Sequence, residues 1–237
     1  MAVYVFTDIH GRYSLWEQIK NYLKPNDIAY CLGDCIDRGP DGIKILQEIQ
    51  KNKRIKMLLG NHEELLLEYI SIGMEKLTKT DKELIASNET EKTLFDFYCL
   101  SIKDQNNLFK WIQNLPIYII YNTNDKQYFL SHAGGDPDKM PLKDKNALIY
   151  YLLWDRKHLK TKHWNLKKYP NLYMIHGHSP VGYLNYLGNK EIPPYIDKIT
   201  YYCDKHKIDL DLLSVNEGKI ALLNLDTLEE KYFFDKK

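Results

Sequence analysis

Side chains that can bind metal ions or transfer protons are concentrated in five short stretches of this 237-residue chain. The stretches are residues 8–11, 33–39, 60–63, 131–135 and 176–178. They combine carboxylates, imidazoles and an asparagine amide, and this donor set suits manganese, iron or zinc without any cysteine ligand. Glycines lie beside these groups and allow the backbone to approach a ligand closely. The pattern predicts a metal-dependent site.

Each of these stretches follows a predicted β-strand. Short apolar runs predict strands at 2–7, 28–32, 55–59, 127–131 and 172–175. Helical spacing of apolar residues predicts helices at 14–23, from Pro40 to about Gln50, and after His62. This alternation of strand and helix favours an α/β sheet. Since ligands bind beyond the carboxyl ends of strands in such sheets, we expect the five stretches to converge.

The rest of the chain is expected to complete one domain that spans residues 1–237. Residues 74–115 show no strand pattern and are predicted to form a helical insert beside the sheet. Residues 117–121 and 127–131 flank a turn sequence and predict a hairpin. A further helix is expected at 147–154, and several short strands are expected between 199 and 234.

The composition excludes several classes of protein. Hydrophobic residues make up 44% and charged residues 27%, which is ordinary globular usage. The formal net charge of +1 gives no general attraction to nucleic acid or to an anionic membrane. No stretch approaches the roughly 20 apolar residues of a membrane span, so we expect a cytoplasmic protein. The four cysteines are expected to be reduced packing residues, and the oligomeric state stays open.

The order of the motifs resembles that of the calcineurin-like metallophosphoesterases. The matching motifs are Asp-x-His-Gly, Gly-Asp-x-x-Asp-Arg-Gly, Gly-Asn-His-Glu, His-Ala-Gly and Gly-His-Ser-Pro, which run from Asp8 to Pro180. Within that superfamily they resemble the compact bacterial and bacteriophage branch of the phosphoprotein phosphatases. The resemblance implies a β-sandwich flanked by helices, in α/β/β/α layers. One departure is Thr7, which stands where the family usually has glycine.

The resemblance implies a site for two divalent metal ions. The implied ligands are Asp8, His10, Asp34, Asn61, His132 and His178. Asp34 would bridge the two ions, which are expected to be manganese, with iron or zinc as alternatives. Two cations about 3.5–4 Å apart can hold a hydroxide between them and direct its in-line attack on phosphorus.

The resemblance also assigns roles to residues beside the ligands. His62 resembles the general acid, and Asp37 would hold it and keep it charged. Arg38 and the more loosely matched Arg156 would bind phosphate oxygens, together with the amide of Asn61.

Other interpretations stay open for Arg38, Arg156 and His176. Arg38 could instead form a salt bridge with a neighbouring aspartate, and Arg156 could be an exposed helix residue paired with Asp155. His176 lies two residues before His178, so on a strand both side chains would point to the same side, and His176 is read either as a support for the metal ligands or as a structural histidine. Arg12 receives no catalytic role.

The main functional prediction is a metal-dependent phosphomonoesterase that acts on phosphoserine or phosphothreonine in proteins, with phosphotyrosine as an additional open substrate. The alternative is hydrolysis of dinucleoside polyphosphates such as diadenosine tetraphosphate, which needs an adenine-sized pocket, expected from residues 74–115 and 180–200. A catalytically silent phosphate-binding protein is a third reading. The expected partner is a phosphorylated protein or peptide, without nucleic acid or membrane, and phosphopeptides are expected to be the better substrates.

Overall fold

The computed structural model describes residues 1–123, 125–141, 143–186 and 197–235. Within these ranges the strands are β1 (Val3–Phe6), β2 (Ile28–Cys31), β3 (Ile55–Met57), β4 (Tyr118–Asn122), β5 (Gln127–Ser131), β6 (Leu172–His176), β7 (Thr200–Tyr202), β8 (Lys207–Asp209), β9 (Lys219–Asn224) and β10 (Glu230–Phe234). The α-helices are α1 (Tyr13–Tyr22), α2 (Gly42–Lys51), α3 (Asn61–Ile72), α4 (Lys79–Asn88), α5 (Glu91–Tyr98), α6 (Ile102–Gln113), α7 (Lys145–Leu153), α8 (Val181–Tyr186) and α9 (Ser214–Glu217). Two short 3₁₀ helices occupy Met74–Lys76 and Lys157–Lys160.

The strands form two five-stranded mixed sheets. The first has the order β10-β9-β1-β2-β3, and the second has the order β4-β5-β6-β8-β7. In each sheet three neighbouring strands run parallel, β1-β2-β3 in the first and β5-β6-β8 in the second. The five predicted site stretches lie at the carboxyl ends of five of these strands, which are β1, β2, β3, β5 and β6.

The alternation of side chains along the strands produces the layers. In β1, Val3 and Val5 belong to a buried cluster that also contains Tyr128 and Leu130 of the second sheet. The alternate residues Tyr4 and Phe6 belong to a second cluster, in which Phe6 packs against Trp16 of α1. Since side chains alternate across a strand, one face of each sheet contacts the other sheet and the opposite face contacts helices. This confirms the predicted mixed α/β fold of two sheets flanked by helices.

The predicted elements are present with shifted ends. Residues 74–115 form the helical insert as α4, α5 and α6 after a 3₁₀ turn. Pro40 was expected within the first turn of a helix, but α2 begins only at Gly42, because Asp41 is the N-cap residue whose carbonyl accepts from the amide of Ile45. The single-domain organisation stays a prediction. Residues 187–196, which the alternative function was expected to use, lie outside the described residues.

The cysteines are free thiols in the structure, but they do not share one role. Cys31, Cys35 and Cys203 are buried, and the Sγ atoms of Cys31 and Cys35 are 3.3 Å apart. Cys99 is exposed, so the prediction that all four are packing residues was wrong for Cys99. Its position on the solvent side of α5's C-terminal end explains the difference. None of the helices in the described ranges is both long and apolar enough to cross a membrane.

Candidate active site

The loops that follow the strands have an unusual backbone. Asp8, His10, Asp34 and His178 have positive φ angles of 53°, 45°, 54° and 67°. Residues other than glycine rarely adopt this left-handed region, and each such residue costs on the order of 1–3 kcal/mol. Asp37 and Arg38 share the same geometry. Positive φ angles thus turn the side chains of the predicted site away from the regular alternation of a strand.

Two of these loops pack backbone against backbone. A Cβ atom on Gly39 would lie 2.3 Å from the carbonyl oxygen of His10, so only glycine fits there. The amide of Gly11 donates a hydrogen bond of 2.8 Å to the carbonyl of Cys35. This close approach fixes the loop after β1 against the loop after β2.

The structure brings the predicted metal ligands together around Asp34. His132 Nε2 lies 3.3 Å from Asp34 Oδ2, and His10 Nε2 lies 3.9 Å from the same oxygen. Two groups of ligand atoms, each within 4.8 Å of one another, share this aspartate: His10, Asp34 and His62, and Asp34, His132 and His178. A carboxylate common to two groups is the arrangement expected of a bridging ligand.

Hydrogen bonds to the backbone orient two of the imidazoles. His10 Nδ1 donates to the carbonyl of Ile36 at 2.9 Å, and His132 Nδ1 donates to the carbonyl of Leu32 at 3.0 Å. In the neutral ring the proton therefore lies on Nδ1, and Nε2 presents a lone pair. Such a bond through the second ring nitrogen is how proteins orient histidines that bind metals.

The amide oxygen of Asn61 provides a test of whether a cation fits. Asn61 Oδ1 lies 2.8 Å from His132 Nε2 and 2.8 Å from His178 Nδ1. His178 Nε2 is buried and has no partner among the described residues. In the metal-free protein a proton on each of these two ring nitrogens can be donated to the amide oxygen, and a cation that replaces those protons would have the oxygen and the nitrogen lone pairs as ligands. The donor set therefore fits a divalent metal ion.

Asp8 is held so that one oxygen stays available. Its Oδ2 accepts hydrogen bonds from the hydroxyl of Thr7 at 2.5 Å and from the amide of His178 at 3.1 Å. Its Oδ1 lies 3.9 Å from His10 Nε2. The threonine that departs from the family pattern thus orients Asp8 rather than disrupting the site.

The electrostatics of the ligands favour binding of positive charge. Burial lowers the pKa of His10, and the charges of His62 and Arg38 lower it further, so the ring stays neutral. Burial raises the pKa of Asp34, but the charges of His132 and His62 outweigh it and hold that pKa well below its usual range. Asp34 is therefore an ionised carboxylate inside the protein.

Without cations the site compensates part of its negative charge with a proton. Burial lowers the pKa of His132, yet the charge of Asp34 and the hydrogen bond to it raise the net value to about 9. Burial raises the pKa of Asp8, and Asp34 adds to that rise. Because metal ions bind the deprotonated forms of these ligands, cations would replace these protons.

His62 is paired with Asp37. His62 Nδ1 lies 2.6 Å from Asp37 Oδ2, and its Nε2 points toward the site, 3.7 Å from Asp34 Oδ2. Burial lowers the pKa of His62, but Asp34 and the hydrogen bond to Asp37 outweigh it, so the pKa is raised. The helical insert holds Asp37, since Thr90 Oγ1 donates to its Oδ2 at 3.0 Å and the Asp37 amide donates to Thr93 Oγ1 at 3.2 Å.

The side chains of the two predicted phosphate-binding arginines both lie at the candidate site. One guanidinium nitrogen of Arg38 lies 3.0 Å from His10 Nε2, and the other lies 3.3 Å from His62 Nε2. Arg156 Nε donates to Ser179 Oγ at 2.9 Å, while Asp155 instead accepts from the amide of Lys157. Among the described residues, neither arginine forms the salt bridge with a neighbouring aspartate that was left open as the alternative.

A cavity of about 210 Å³ lies over the ligands. Besides the predicted site residues, it is lined by Leu84 and Asn88 of α4 and by Trp154 at the end of α7. Sequence reasoning assigned no role to these three side chains. Residues 74–115 were expected to help build a substrate pocket, and α4 lies in that range, but its contributing side chains could not be identified because periodic spacing does not state which tertiary neighbour a helix covers.

Glu63 is a further residue without an assigned role, although it ends the Gly-Asn-His-Glu motif. Its fully buried carboxylate accepts hydrogen bonds from the amides of Asp34 and Cys35, both at 2.8 Å, and from the amide of Gly60 at 3.2 Å. Burial and the charge of Asp34 raise its pKa to about 7. Glu63 therefore connects the loop after β2 to the start of α3.

His176 and Arg12 have structural contacts. His176 was expected to face the same side as His178, but β6 ends at His176 and the left-handed backbone of His178 changes its direction. His176 Nε2 lies 2.8 Å from the hydroxyl of Tyr202, which supports the structural reading. Arg12 contacts the carbonyl of Val215 and lies 3.5 Å from Asp235.

Comparison with solved structures shows the fold. A putative diadenosine tetraphosphatase is similar with a TM-score of 0.61 and 14% identity, over 99% of this chain and 94% of that chain. A protein serine/threonine phosphatase from Saccharomyces cerevisiae is similar with a TM-score of 0.62 and 12% identity, over 100% of this chain and 81% of that chain.

Sequence comparison shows the family. A symmetrical bis(5'-nucleosyl)-tetraphosphatase of Wigglesworthia glossinidia brevipalpis is 37% identical over 142 residues, which are 58% of this chain and 46% of that protein. The match thus spans about half the length of such curated relatives. The family profile of calcineurin-like phosphoesterases matches residues 1–214. Together with the metal-ligand geometry around Asp34, that match places the chain in the calcineurin-like phosphoesterase family.

Proposed function

We propose that this metallophosphoesterase hydrolyses dinucleoside polyphosphates such as diadenosine tetraphosphate. Curated relatives that are named symmetrical bis(5'-nucleosyl)-tetraphosphatases support this activity better than they support the main prediction of a protein phosphatase. The likeness to a yeast protein phosphatase supports the fold and not the substrate. Action on phosphoserine, phosphothreonine or phosphotyrosine stays a prediction, and so do the cytoplasmic location and the manganese preference.

The observation that carries the proposal is the sequence similarity to symmetrical bis(5'-nucleosyl)-tetraphosphatases, which are 37% and 30% identical over 58% of this chain. The pocket is compatible with it, since the motif side chains, including Arg38, share one cavity of about 210 Å³ with Arg156 and with Leu84 and Asn88 of the insert. Pockets for drug-sized ligands measure about 300–1,000 Å³, so this cavity accepts phosphate groups but not a nucleoside. Two arginines beside the ligands suit consecutive phosphates of a polyphosphate chain, with the nucleosides outside.

The metal-ligand residues fit two divalent ions, which when bound supply Lewis-acid activation of phosphate and of water at neutral pH. The residues that would hold them are Asp8, His10, Asp34, Asn61, His132 and His178. Arg38 would donate its two N–H groups to phosphate oxygens, and the same atoms face His10 and His62 in this structure. Its planar guanidinium can bind and orient the phosphate that is attacked.

His62 would deliver the proton to the departing oxygen. Its Nδ1 is engaged by Asp37, so Nε2, on the pocket side, is the nitrogen that exchanges a proton. The raised pKa favours the protonated ring that a general acid needs. The leaving group of a phosphoanhydride is a nucleotide phosphate, which is a weaker base than the alkoxide of serine. Cleavage of a polyphosphate therefore depends less on His62 than cleavage of a phosphoserine ester does.

A direct comparison of substrates tests the proposal. Protein loaded with Mn²⁺ is incubated with diadenosine tetraphosphate and, separately, with phosphoserine, phosphothreonine and phosphotyrosine peptides. We expect the highest kcat/KM for the dinucleotide and ADP as its product. The Asp34→Asn variant serves as the inactive control. Higher kcat/KM for a phosphopeptide, or wild type no more active than the control on the dinucleotide, would overturn the proposal.

A further inference from the structure

We propose that Tyr183 and Tyr186 form a stacking platform for a nucleoside base of the substrate, beside the phosphate that Arg156 holds. The inference rests on the proposed function, because it supplies the base-binding surface that the small phosphate cavity lacks. It concerns α8, which lies within the range 180–200 that was expected from the sequence to contribute to an adenine-sized pocket.

The platform consists of two tyrosine rings on one face of α8. Residues three apart on a helix are surface neighbours, and the ring centroids of Tyr183 and Tyr186 are 5.6 Å apart with an interplanar angle of 24°. Tyr183 is 36% exposed and Tyr186 is 81% exposed. Single exposed aromatic residues need no explanation, but here two rings stack on each other in solvent. Their free faces offer a flat aromatic surface for a third ring.

Arg156 connects this surface to the catalytic pocket. Its guanidinium carbon lies 5.9 Å from the centroid of the Tyr183 ring, within the range of a cation–π interaction. The same side chain lines the cavity over the metal ligands. Hydrogen bonds to Ser179 Oγ at 2.9 Å and to the carbonyl of His178 at 3.4 Å fix its position. A phosphate bound by Arg156 is therefore adjacent to the tyrosine pair.

Helix α8 is anchored to the core next to a predicted ligand. Val181 is 1% exposed, and its amide donates to the carbonyl of Asp211 at 3.0 Å. The helix begins three residues after His178. The short connection and the buried anchor hold the tyrosine pair at a fixed distance from the site, so a base can stack without first ordering this surface.

A nucleoside base suits this surface better than a peptide side chain. Every base has a flat π-face, and stacking on an aromatic side chain tolerates any of them. A dinucleoside polyphosphate necessarily carries a base a short way along the chain from the phosphates that enter the cavity. A phosphopeptide has an aromatic residue at that distance only in particular sequences. We therefore assign the platform to a nucleotide.

The test uses two non-hydrolysable ligands that differ only in the nucleoside. Binding of α,β-methylene-ADP and of methylenediphosphonate is measured by calorimetry on Mn²⁺-loaded wild type, the double variant Tyr183→Ala/Tyr186→Ala and the double variant Tyr183→Phe/Tyr186→Phe. Tyr22→Ala is the matched control, because Tyr22 is a 38%-exposed tyrosine at the end of α1 that packs against Tyr4 and Phe233 and does not line the site cavity. We expect the alanine variant to bind the nucleotide about tenfold or more weakly, and methylenediphosphonate as wild type does. The phenylalanine variant should retain nucleotide affinity, since it keeps both rings.

Two outcomes would overturn the platform. One is unchanged nucleotide affinity in the alanine variant. The other is an equal loss for both ligands, which would indicate a damaged phosphate site. The two proposals fail separately: if wild type binds the nucleotide through the tyrosines but does not cleave diadenosine tetraphosphate, the proposed function fails. If wild type cleaves it and the alanine variant has the same kcat/KM, the platform fails.

Discussion

Two buried clusters of histidine and aspartate lie next to each other in this protein and differ in what their polar atoms contact. In the candidate active site, His10 and His132 bond a backbone carbonyl through Nδ1 and turn Nε2 toward Asp34. In the neighbouring cluster, His176 uses Nδ1 for the carbonyl of Gly177 and Nε2 for the hydroxyl of Tyr202. Both ring nitrogens of His176 are therefore satisfied by protein atoms, and no lone pair is left for a cation.

The aspartates of the two clusters differ in the same way. Asp34 faces several imidazoles, and their charges hold its pKa well below the usual range against the effect of burial. Asp209 is equally buried, and burial together with Asp211 raises its pKa well above the usual value, which favours the protonated form. Burial and residue type are thus shared by both clusters. The candidate ligand site is distinguished by an ionised carboxylate and by imidazole Nε2 atoms that face other side chains of the site, whereas His176 Nε2 contacts a tyrosine hydroxyl.

Asparagine substitution of each aspartate is the strongest test of this comparison. Asp34→Asn removes the anionic oxygen shared by both ligand groups, so we expect metal-dependent kcat/KM to fall by more than about 100-fold, beyond the loss typical of outer contacts to a metal ligand. Bound metal should fall with it, measured by elemental analysis. Asp209→Asn replaces a carboxyl whose raised pKa favours the neutral form by a neutral amide of similar shape, and it should leave metal content and activity close to wild type. Equal metal loss in both variants would contradict the comparison.

His62→Asn separates proton transfer from metal binding within the active cluster. Loss of a general acid costs about 10²–10⁴-fold in rate, and we expect a loss of that size on a phosphoserine peptide. A smaller loss is expected on diadenosine tetraphosphate, whose leaving group is a phosphate. Metal content should stay at the wild-type level, because His62 Nδ1 is engaged by Asp37. A variant that loses bound metal would instead identify His62 as a ligand.

Tyr202→Phe probes the satisfied cluster. The substitution removes the only protein partner of His176 Nε2 described in the structure, and an unsatisfied buried polar atom costs about 1–3 kcal/mol. We expect a lower free energy of unfolding in urea with unchanged metal content and kcat. Impaired metal binding in this variant would show that the two clusters are coupled.

Lys207→Met gives the smallest expected effect, and it depends on pH. Lys207 is fully buried and donates to the carbonyl of His158 at 2.9 Å, and burial lowers its pKa to about 8. Above that pH the folded protein has released this proton while the unfolded chain still binds it, so stability rises with pH.

The measurement is the difference in free energy of unfolding between wild type and Lys207→Met, which cancels contributions from the many tyrosines. We expect this difference to shift by roughly 1–2 kcal/mol in favour of wild type between about pH 8 and about pH 9.5. A difference that stays constant over this range would show that the Lys207 ammonium keeps its ordinary pKa.

The motif stretches could be predicted because each consists of a strand end followed by a polar cluster. The order of these stretches therefore predicted both the strands of the sheet and the candidate metal ligands. The role of His176 could not be settled from the sequence, since the strand rule was extended past the residue where β6 ends. The contribution of Leu84 and Asn88 depends on how the insert packs, which local spacing does not encode.

The substrate was the least predictable part, for a physical reason. Both candidate activities, dinucleotide hydrolysis and phosphoprotein hydrolysis, assign the same roles to the predicted metal ligands and to the two arginines. The motifs therefore do not identify the part of the substrate beyond its phosphates. The information lies in surfaces such as α8, where Tyr183 and Tyr186 belong to no motif.

The left-handed backbone at Asp8, His10, Asp34 and His178 has a consequence for protein engineering. A stability selection applied to metal-free protein would favour glycine at these positions, because glycine adopts that geometry without steric cost. Each such replacement would delete a predicted ligand. Thermostable variants selected in the presence of a chelator should therefore accumulate changes at the very residues that reactivation by added metal requires.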